Sequence, residues 1–449
     1  MSEKQPEIPE VAHDPYAAFR VSAYRRYMIA QMLVQIGTAG QGLAIGWEIY
    51  TRTNNALLLG LVGLVQAVPM LLFTLPAGYL ADTFDRRRLI LLSMVGTCLG
   101  SVGLAAFSYW HGSIWMMYGL LFMDSTAMRL GWPARAALLP ALVPREVFEN
   151  AIKWRTSLGQ ISGMVGPVVG GFVLAWWLPG AYLLSAASTV VFMFVLAVLP
   201  IAPTVRAPRG RMVRQVIEGI EFVWRQKLLL GAISLDMFGV LLGGAVYLLP
   251  VFARDILDLS GTGLTPQRAL GWLRSAPAAG ALIMALSLAH LPPIRKAGRA
   301  LLLAVAGFGV ATIIFGFSKS FWLSMAMLFL TGVFDNVSVV IRQTLVQLIT
   351  PDEMRGRVSA VNAIFIGSSN DLGGFESGLV AKWTSAWVSV VSGGIGTLVV
   401  VLAWSGLFPR LRQFGSLTGI EAQAATPVAA VDESSGSNLT PVERVKTVK

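Results

Sequence analysis

From Tyr27 onward the chain is a succession of apolar blocks separated by short basic clusters. Each block is close to the roughly 20 residues that a helix needs to cross about 30 Å of hydrocarbon. Inside a bilayer the backbone amides must be satisfied within a helix or a closed barrel. The ten-residue alternation of a barrel strand is absent, so the blocks read as helices. Twelve are legible, at 27–50, 57–80, 89–109, 113–137, 155–178, 181–202, 228–252, 269–291, 300–317, 321–348, 358–381 and 384–408. Composition agrees: 13% of residues are charged, against about 25% in soluble domains. The 46 glycines suit helices packed closely through small residues. Residues 1–23 lack the apolar stretch of a cleavable signal, so the first helix is expected to be an uncleaved insertion signal.

The net charge of +11 raises nucleic acid as a partner, but the basic residues sit between the apolar blocks. One set of loops carries Arg86, Arg87 and Arg88; Arg145, Lys153 and Arg155; Arg206 through Lys227; Arg295, Lys296 and Arg299; and Arg355 and Arg357. The alternate set carries only Arg52, Arg254, Arg268, Lys319 and Lys382. Cytoplasmic loops collect Lys and Arg, which predicts a multi-pass bacterial inner-membrane protein with both termini in the cytoplasm and no nucleic-acid partner. The expected organisation is a cytoplasmic segment 1–23, a six-helix bundle 24–202, a cytoplasmic linker 203–227 with an amphipathic surface helix through Trp224, a second six-helix bundle 228–412, and a disordered cytoplasmic tail 413–449.

Cys98 is the single cysteine, and His13, His111 and His290 are scattered. An intrachain disulfide is excluded, and no metal site or cofactor is expected. There is no Walker-type phosphate loop and no set of nucleophile, histidine and acid, so an enzyme is not expected.

The two halves are weakly related. At a shift of 207 residues, Arg135–Pro144 falls on Arg342–Pro351, Glu146 on Glu353, Gly166 on Gly373 and Gly171 on Gly378, while Pro69 falls close to Pro277. An even number of spans separates the copies, so they are parallel repeats about an axis along the membrane normal, an arrangement suited to two halves rocking around a central site.

After the second span comes Gly78-Tyr-Leu-Ala-Asp82-Thr-Phe-Asp85-Arg86-Arg87-Arg88. Gly permits close helix approach, and a carboxylate such as Asp82 is favoured at a helix N-terminus. This stretch resembles the loop between the second and third helices of the major facilitator superfamily, with Thr83 and Asp85 departing from the commonest form. The resemblance implies a gating contact between the halves centred on Asp82, with Arg135 in the matching helix-end element. Gly166-Pro167-Val-Val-Gly170-Gly171 in the fifth span resembles the element of the superfamily's antiporter branches, with Ser162 where a further Gly is usual. Pro bends the helix and the glycines let a partner approach, so generic packing explains this element as well. The stretch 331–378, with Trp132-Pro-Ala-Arg135-Ala-Ala-Leu-Leu-Pro140, is similar to the exporter family that includes the enterobactin exporter and the macrolide-efflux proteins.

Ionisable residues within spans are costly and are functional candidates by default. Asp124, Asp236, Asp335, Asp371, Glu376 and Glu48 are the candidates for proton coupling. A structural reading stands beside this one: Asp335 and Asp371 pair with Arg or cap a broken helix, and Glu48 is wetted at the interface. Asp335 and Arg342 are seven apart and share a helix face. The superfamily resemblance places the first, fourth, seventh and tenth helices around the cavity, which favours Asp124, Arg129, Asp236 and Asp335 as cavity-facing. Arg129, Trp132, Phe334, Asn336, Arg342 and Tyr247 are the substrate-cavity candidates, with Trp47, Trp132, Tyr247 and Phe334 as a possible aromatic set.

The expected fold is therefore an all-α membrane protein of twelve helices in two pseudo-symmetric six-helix bundles. The expected activity is export of a bulky amphipathic small molecule by alternating access, driven by protons, in a monomer embedded in membrane lipids. Nutrient uptake, facilitated diffusion and lysolipid flipping are the rivals within transport; a non-transporting receptor or membrane enzyme is the rival outside it.

Overall fold

The computed structural model describes residues 14–200, 212–292 and 294–415. Twelve long helices account for most of them: α1 (Ser22–Thr53), α2 (Ala56–Thr83), α3 (Arg86–Tyr109), α4 (Ile114–Leu142), α5 (Phe148–Trp176), α6 (Leu178–Val198), α7 (Lys227–Leu242), α8 (Pro266–His290), α9 (Ala297–Phe317), α10 (Phe321–Ile349), α11 (Asp352–Trp383) and α12 (Ala386–Leu407). Among the described residues ten segments pass for membrane spans on length and hydropathy, the one that begins with α7 running on to Ile256. The remaining two helices, α4 and α11, carry intramembrane charges such as Asp124, Arg129 and Asp371. The amphipathic linker helix runs over Met212–Arg225. The rest of the expected linker and most of the expected N-terminal segment and tail lie outside the described residues.

Local chemistry sets the helix ends. Asn54 closes α1 in the left-handed region with φ 50°, and Asn55 caps α2 by accepting from Leu57 N. Asp85 caps α3 and Ser385 caps α12. The seventh span, expected to be continuous over 228–252, is broken. After Gly243 and Gly244 the chain continues as a 3-10 turn, Ala245–Leu248, and a π segment, Phe252–Ile256. Irregular backbone at membrane depth is tolerated where protein covers it, and here Arg274 donates to the freed carbonyl of Val246 at 3.0 Å.

The internal repeat is visible in the packing. In the first half α1 packs on α5 and α6, α3 on α4 and α6, and α2 on α4. Six helices later α7 packs on α11 and α12, α9 on α10 and α12, and α8 on α10. Helices α4 and α10 start at Ile114 and Phe321, and α5 and α11 end at Trp176 and Trp383, so each pair keeps the 207-residue offset.

The halves meet along two seams, α2 on α11 and α5 on α8. Glycine makes both possible. A Cβ on Gly60 would lie 2.8 Å from Gly378 Cα, and one on Gly171 would lie 2.9 Å from Gly271 Cα. Gly171 and Gly378, matched in the repeat, are thus the equivalent points where each half touches the other. These contacts sit toward the end of the bundle with few basic residues. There one apolar core, including Tyr50, Leu59, Leu249, Phe252 and Leu270, is built from both halves. Arg254 adds a bond to Asn54 at 2.7 Å and lies over the Tyr50 ring, whose hydroxyl donates to Asp255. At the basic end, by contrast, the cores are separate: one of first-half residues around Tyr24, Ile90 and Leu138, another of second-half residues around Leu301 and Leu345. The bundle is sealed at the sparse end and parted at the basic end.

Leu at both Gly60 and Gly378 should wedge the seam. Spin labels on the exposed Trp110 and Trp383 positions should then move apart by about 2 Å or more, toward ordinary helix separations. An unchanged distance distribution would mean that glycine contact does not hold this end shut.

Candidate functional site

A cavity climbs along α1 from the basic end. Its lower chamber, about 490 Å³, is lined by Tyr27, Gln31, Gln35, Trp132, Arg135 and Arg155 among others. The next, about 290 Å³, shares Thr38, Met128, Trp132 and Arg135 with it and adds Gln41, Gln66, Asp124 and Arg129. A last, narrow space of about 90 Å³ lies between the halves near Gly46, Gln66, Tyr247 and Arg274. From Tyr27 to Gly46 the path rises about 28 Å at 1.5 Å per residue. Both larger chambers are lined by first-half residues.

Asp124 is buried on α4 against Gly100 of α3. Gln41 of α1 donates to its Oδ2 at 2.9 Å, and Ser101 donates to Gln41 Oε1 at 2.7 Å. Its Oδ1 is buried without a hydrogen-bond partner among the described residues. One chamber higher, Asp371 of α11 stands on the seam. It accepts from the Tyr247 hydroxyl at 2.8 Å and faces Arg129 Nη2, on α4 of the other half, at 3.6 Å. The break in α7 brings Tyr247 to this carboxylate, while Arg274 from α8 lies over the Tyr247 ring.

Asp236 and Arg342 form a buried ion pair between α7 and α10, 4% and 1% exposed, with Ser338 donating to Asp236 Oδ1 at 3.1 Å. Arg342 is therefore tied to Asp236 and not to Asp335, its neighbour on the same face. Asp335 lines a space of about 10 Å³ with Asp236, Phe308 and Phe334, and forms no hydrogen bond or ion pair among the described residues. This space lies inside the second half, apart from the chambers on α1 and α4. Asn336 is buried on the same helix, its Oδ1 without a hydrogen-bond partner among the described residues.

Glu48 is 1% exposed and not wetted at an interface. It pairs with Arg52 at 2.5 Å and accepts from Tyr182 at 2.8 Å, while Arg52 also donates to Gly112 O and Ser108 O. This group ties α1 to α6 and to the α3–α4 turn. Glu376 receives a long bond, 3.4 Å, from its neighbour Ser377. The four aromatics do not gather in one pocket. Trp47 is in the shared core, Trp132 stands 59% exposed in the cavity, Tyr247 is at the seam, and Phe334 packs on Gly307.

The gating loop works within the first half in this conformation. Arg86 donates to Ala137 O of α4 at 2.9 Å and Arg87 to Ala197 O of α6, where cations suit helix C-termini. Gly78 is buried, Arg88 is exposed, and Asp82 forms no hydrogen bond or ion pair among the described residues. The glycine element on α5 serves two neighbours: Gly166 and Gly170 lie against α1, and Pro167 O and Gly171 lie against Gly271 of α8. Sequence reasoning missed Gln41, Gln66 and Arg274. Their signal was available: polar side chains inside apolar blocks, of which only the acids, Asn336, Arg129, Arg135 and Arg342 were taken up.

This architecture is found in solved transporters. The fold matches a nucleoside transporter, NupG (TM-score 0.70, 12% identity, 86% of this chain and 99% of that one). It also matches a POT peptide transporter (TM-score 0.71, 11% identity, 87% and 95%) and a bacterial homologue of the lysosomal transporter Spinster (TM-score 0.66, 15% identity, 88% and 98%). The fold is therefore the one these transporters share; the family match over residues 13–443 and the curated exporter relatives make the protein a multi-pass membrane transporter of the major facilitator superfamily, not an enzyme. Within that class the chain belongs to the family described as transmembrane secretion effector, whose model matches residues 13–443. Curated relatives include the enterobactin exporter EntS of Shigella boydii serotype 4, 27% identical over 395 residues, 87% of this chain and 93% of that protein. The EntS of Escherichia coli O157:H7 is 26% identical over the same span.

Glu48→Ala should leave Arg52 without its counter-charge, with the carbonyls of Gly112 and Ser108 left to meet it, and cost about 3 kcal/mol, the low end for breaking a buried pair. Asp335→Asn removes a carboxylate with no hydrogen-bond or ion-pair partner among the described residues and should cost under about 0.5 kcal/mol or stabilise. Unfolding of both variants in the same detergent checks the contrast, and equal losses would remove the distinction between clamp and free acid.

Proposed function

We propose that the chain is a proton-coupled exporter of bulky amphipathic small molecules, siderophores or drugs, working by alternating access as a monomer in the inner membrane. The basic end belongs in the cytoplasm under the positive-inside rule, so the parted end faces the cytoplasm and both termini lie there. The relatives' function as enterobactin exporters supports the outward direction and a siderophore-like cargo.

The observation that carries proton coupling is the position of Asp371. Its carboxylate is held by Tyr247 of its own half and faces Arg129 of the other. In its charged form it draws α4 toward α11 and helps keep the sealed end shut. Protonation removes that attraction, so the charge state of one group biases which end is open. Asp335, which has no hydrogen-bond or ion-pair partner among the described residues, is the second candidate. The Asp236–Arg342 pair and the Glu48–Arg52 pair hold each half together while the halves move. The gating loop, whose Asp82 has no hydrogen-bond or ion-pair partner among the described residues, acts when the basic end closes.

The test is transport in inside-out vesicles with an imposed proton gradient, using a catechol siderophore and several lipophilic drugs. Wild type should accumulate a compound when the gradient is present. Asp371→Asn should still bind it but lose at least about tenfold of gradient-driven accumulation, equivalent to about 1.4 kcal/mol. Gradient-independent flux in wild type would overturn antiport and leave facilitated transport, and flux in the opposite direction would support nutrient uptake.

A further inference from the structure

Arginine outnumbers acid along the first-half wall of the cavity. Arg129, Arg135 and Arg155 line the two larger chambers, and Asp124, already engaged by Gln41, is the one carboxylate among their lining residues. Arg135 has no acidic partner among the described residues. Its Nη2 donates to Met128 O of its own helix at 3.0 Å, and its Nε is buried with no acceptor. In the lower chamber Gln31 Oε1 is buried without a donor, as is Asp124 Oδ1 in the upper. A buried guanidinium nitrogen without an acceptor is costly unless something completes it. Arg129 does have Asp371, but at 3.6 Å the pair is looser than a direct charge-assisted bond of about 2.7–2.9 Å. Trp132 lies between Arg129 and Arg135 on α4 and lines both chambers. The two chambers are of the size that holds a drug-sized molecule.

Resting on the export reading, we infer that this wall is an anion subsite. It takes an aromatic organic acid whose acidic group binds Arg135 and Arg129, whose ring lies on Trp132, and whose hydroxyl or N–H groups meet Asp124 and Gln31. Ligand and Asp371 then compete for Arg129. An anion that captures Arg129 removes the contact across the seam and leaves Asp371 free to receive a proton when the sealed end opens. Substrate entry and loosening of the seam are thereby one event.

The full chain in lipid nanodiscs and the matched probes 2-naphthoate and 2-naphthamide test this by equilibrium dialysis. Wild type should bind the acid at least about tenfold more tightly than the amide, the effect of one charge-assisted bond. Arg135→Gln should bring the two within about twofold, with the amide unchanged, and Arg135→Lys should restore part of the preference. Asp371→Asn should bind the acid several-fold more tightly, because its competitor is gone. If Arg135→Gln does not fold, Arg129→Gln should reduce the same preference. Equal binding of acid and amide by wild type, or a preference that survives Arg135→Gln, would overturn the subsite. Gradient-driven export of neutral or cationic drugs without acid preference would remove the subsite and leave the export reading standing. Acid preference in binding without gradient-driven flux would do the reverse.

Discussion

The near-contact of backbones at Gly60 with Gly378 and Gly171 with Gly271 sets the geometry on which the remaining features depend. In a bilayer, helices gain little from burying apolar side chains, because lipid tails are equally apolar. Association rests on close packing and on polar bonds between helices. Two glycine seams at one end bring the halves together there, and the shared core follows from them. Because the seams sit toward one end, the other end parts; the two larger chambers run along the first-half wall of α1 and α4, and the narrow space above them is lined from both halves.

The charges within the spans divide by partner. Asp236 with Arg342, and Glu48 with Arg52 and Tyr182, are closed pairs inside one half. Burying such charges is tolerable because each faces an opposite charge at short range. Asp371 differs because its partners come from both halves, so its bonds cannot all survive a motion of one half against the other. Asp335 and Arg135 differ again, having no oppositely charged partner among the described residues. The break in α7 belongs to the same logic: the glycines end the helix, the freed Val246 carbonyl is met by Arg274, and Tyr247 is turned onto Asp371.

Much of the fold was legible because a bilayer imposes a length on every span and a charge bias on every loop. Eleven expected spans correspond to one continuous helix each, and the repeat offset of 207 residues recurs in the helix ends. The exception, the seventh span, contains Gly243-Gly244 and Pro250, which read as ordinary residues of a glycine-rich apolar block. Candidate acids were legible as charges in the wrong solvent. Their partners were not, since Arg342 is seven residues from Asp335 in sequence but bonds to Asp236, 106 residues away.

The sequence by itself determined a membrane-embedded helical protein with a duplicated plan, because hydropathy, loop charge and repeat spacing are local properties that survive without coordinates. Only the tertiary structure decided which end of the bundle is closed, which acids are paired and which are free, and that Arg129 and Asp371 meet across the seam. Those facts depend on the rotation of each helix about its axis and on the approach of the two halves. Both are set by contacts between residues hundreds of positions apart.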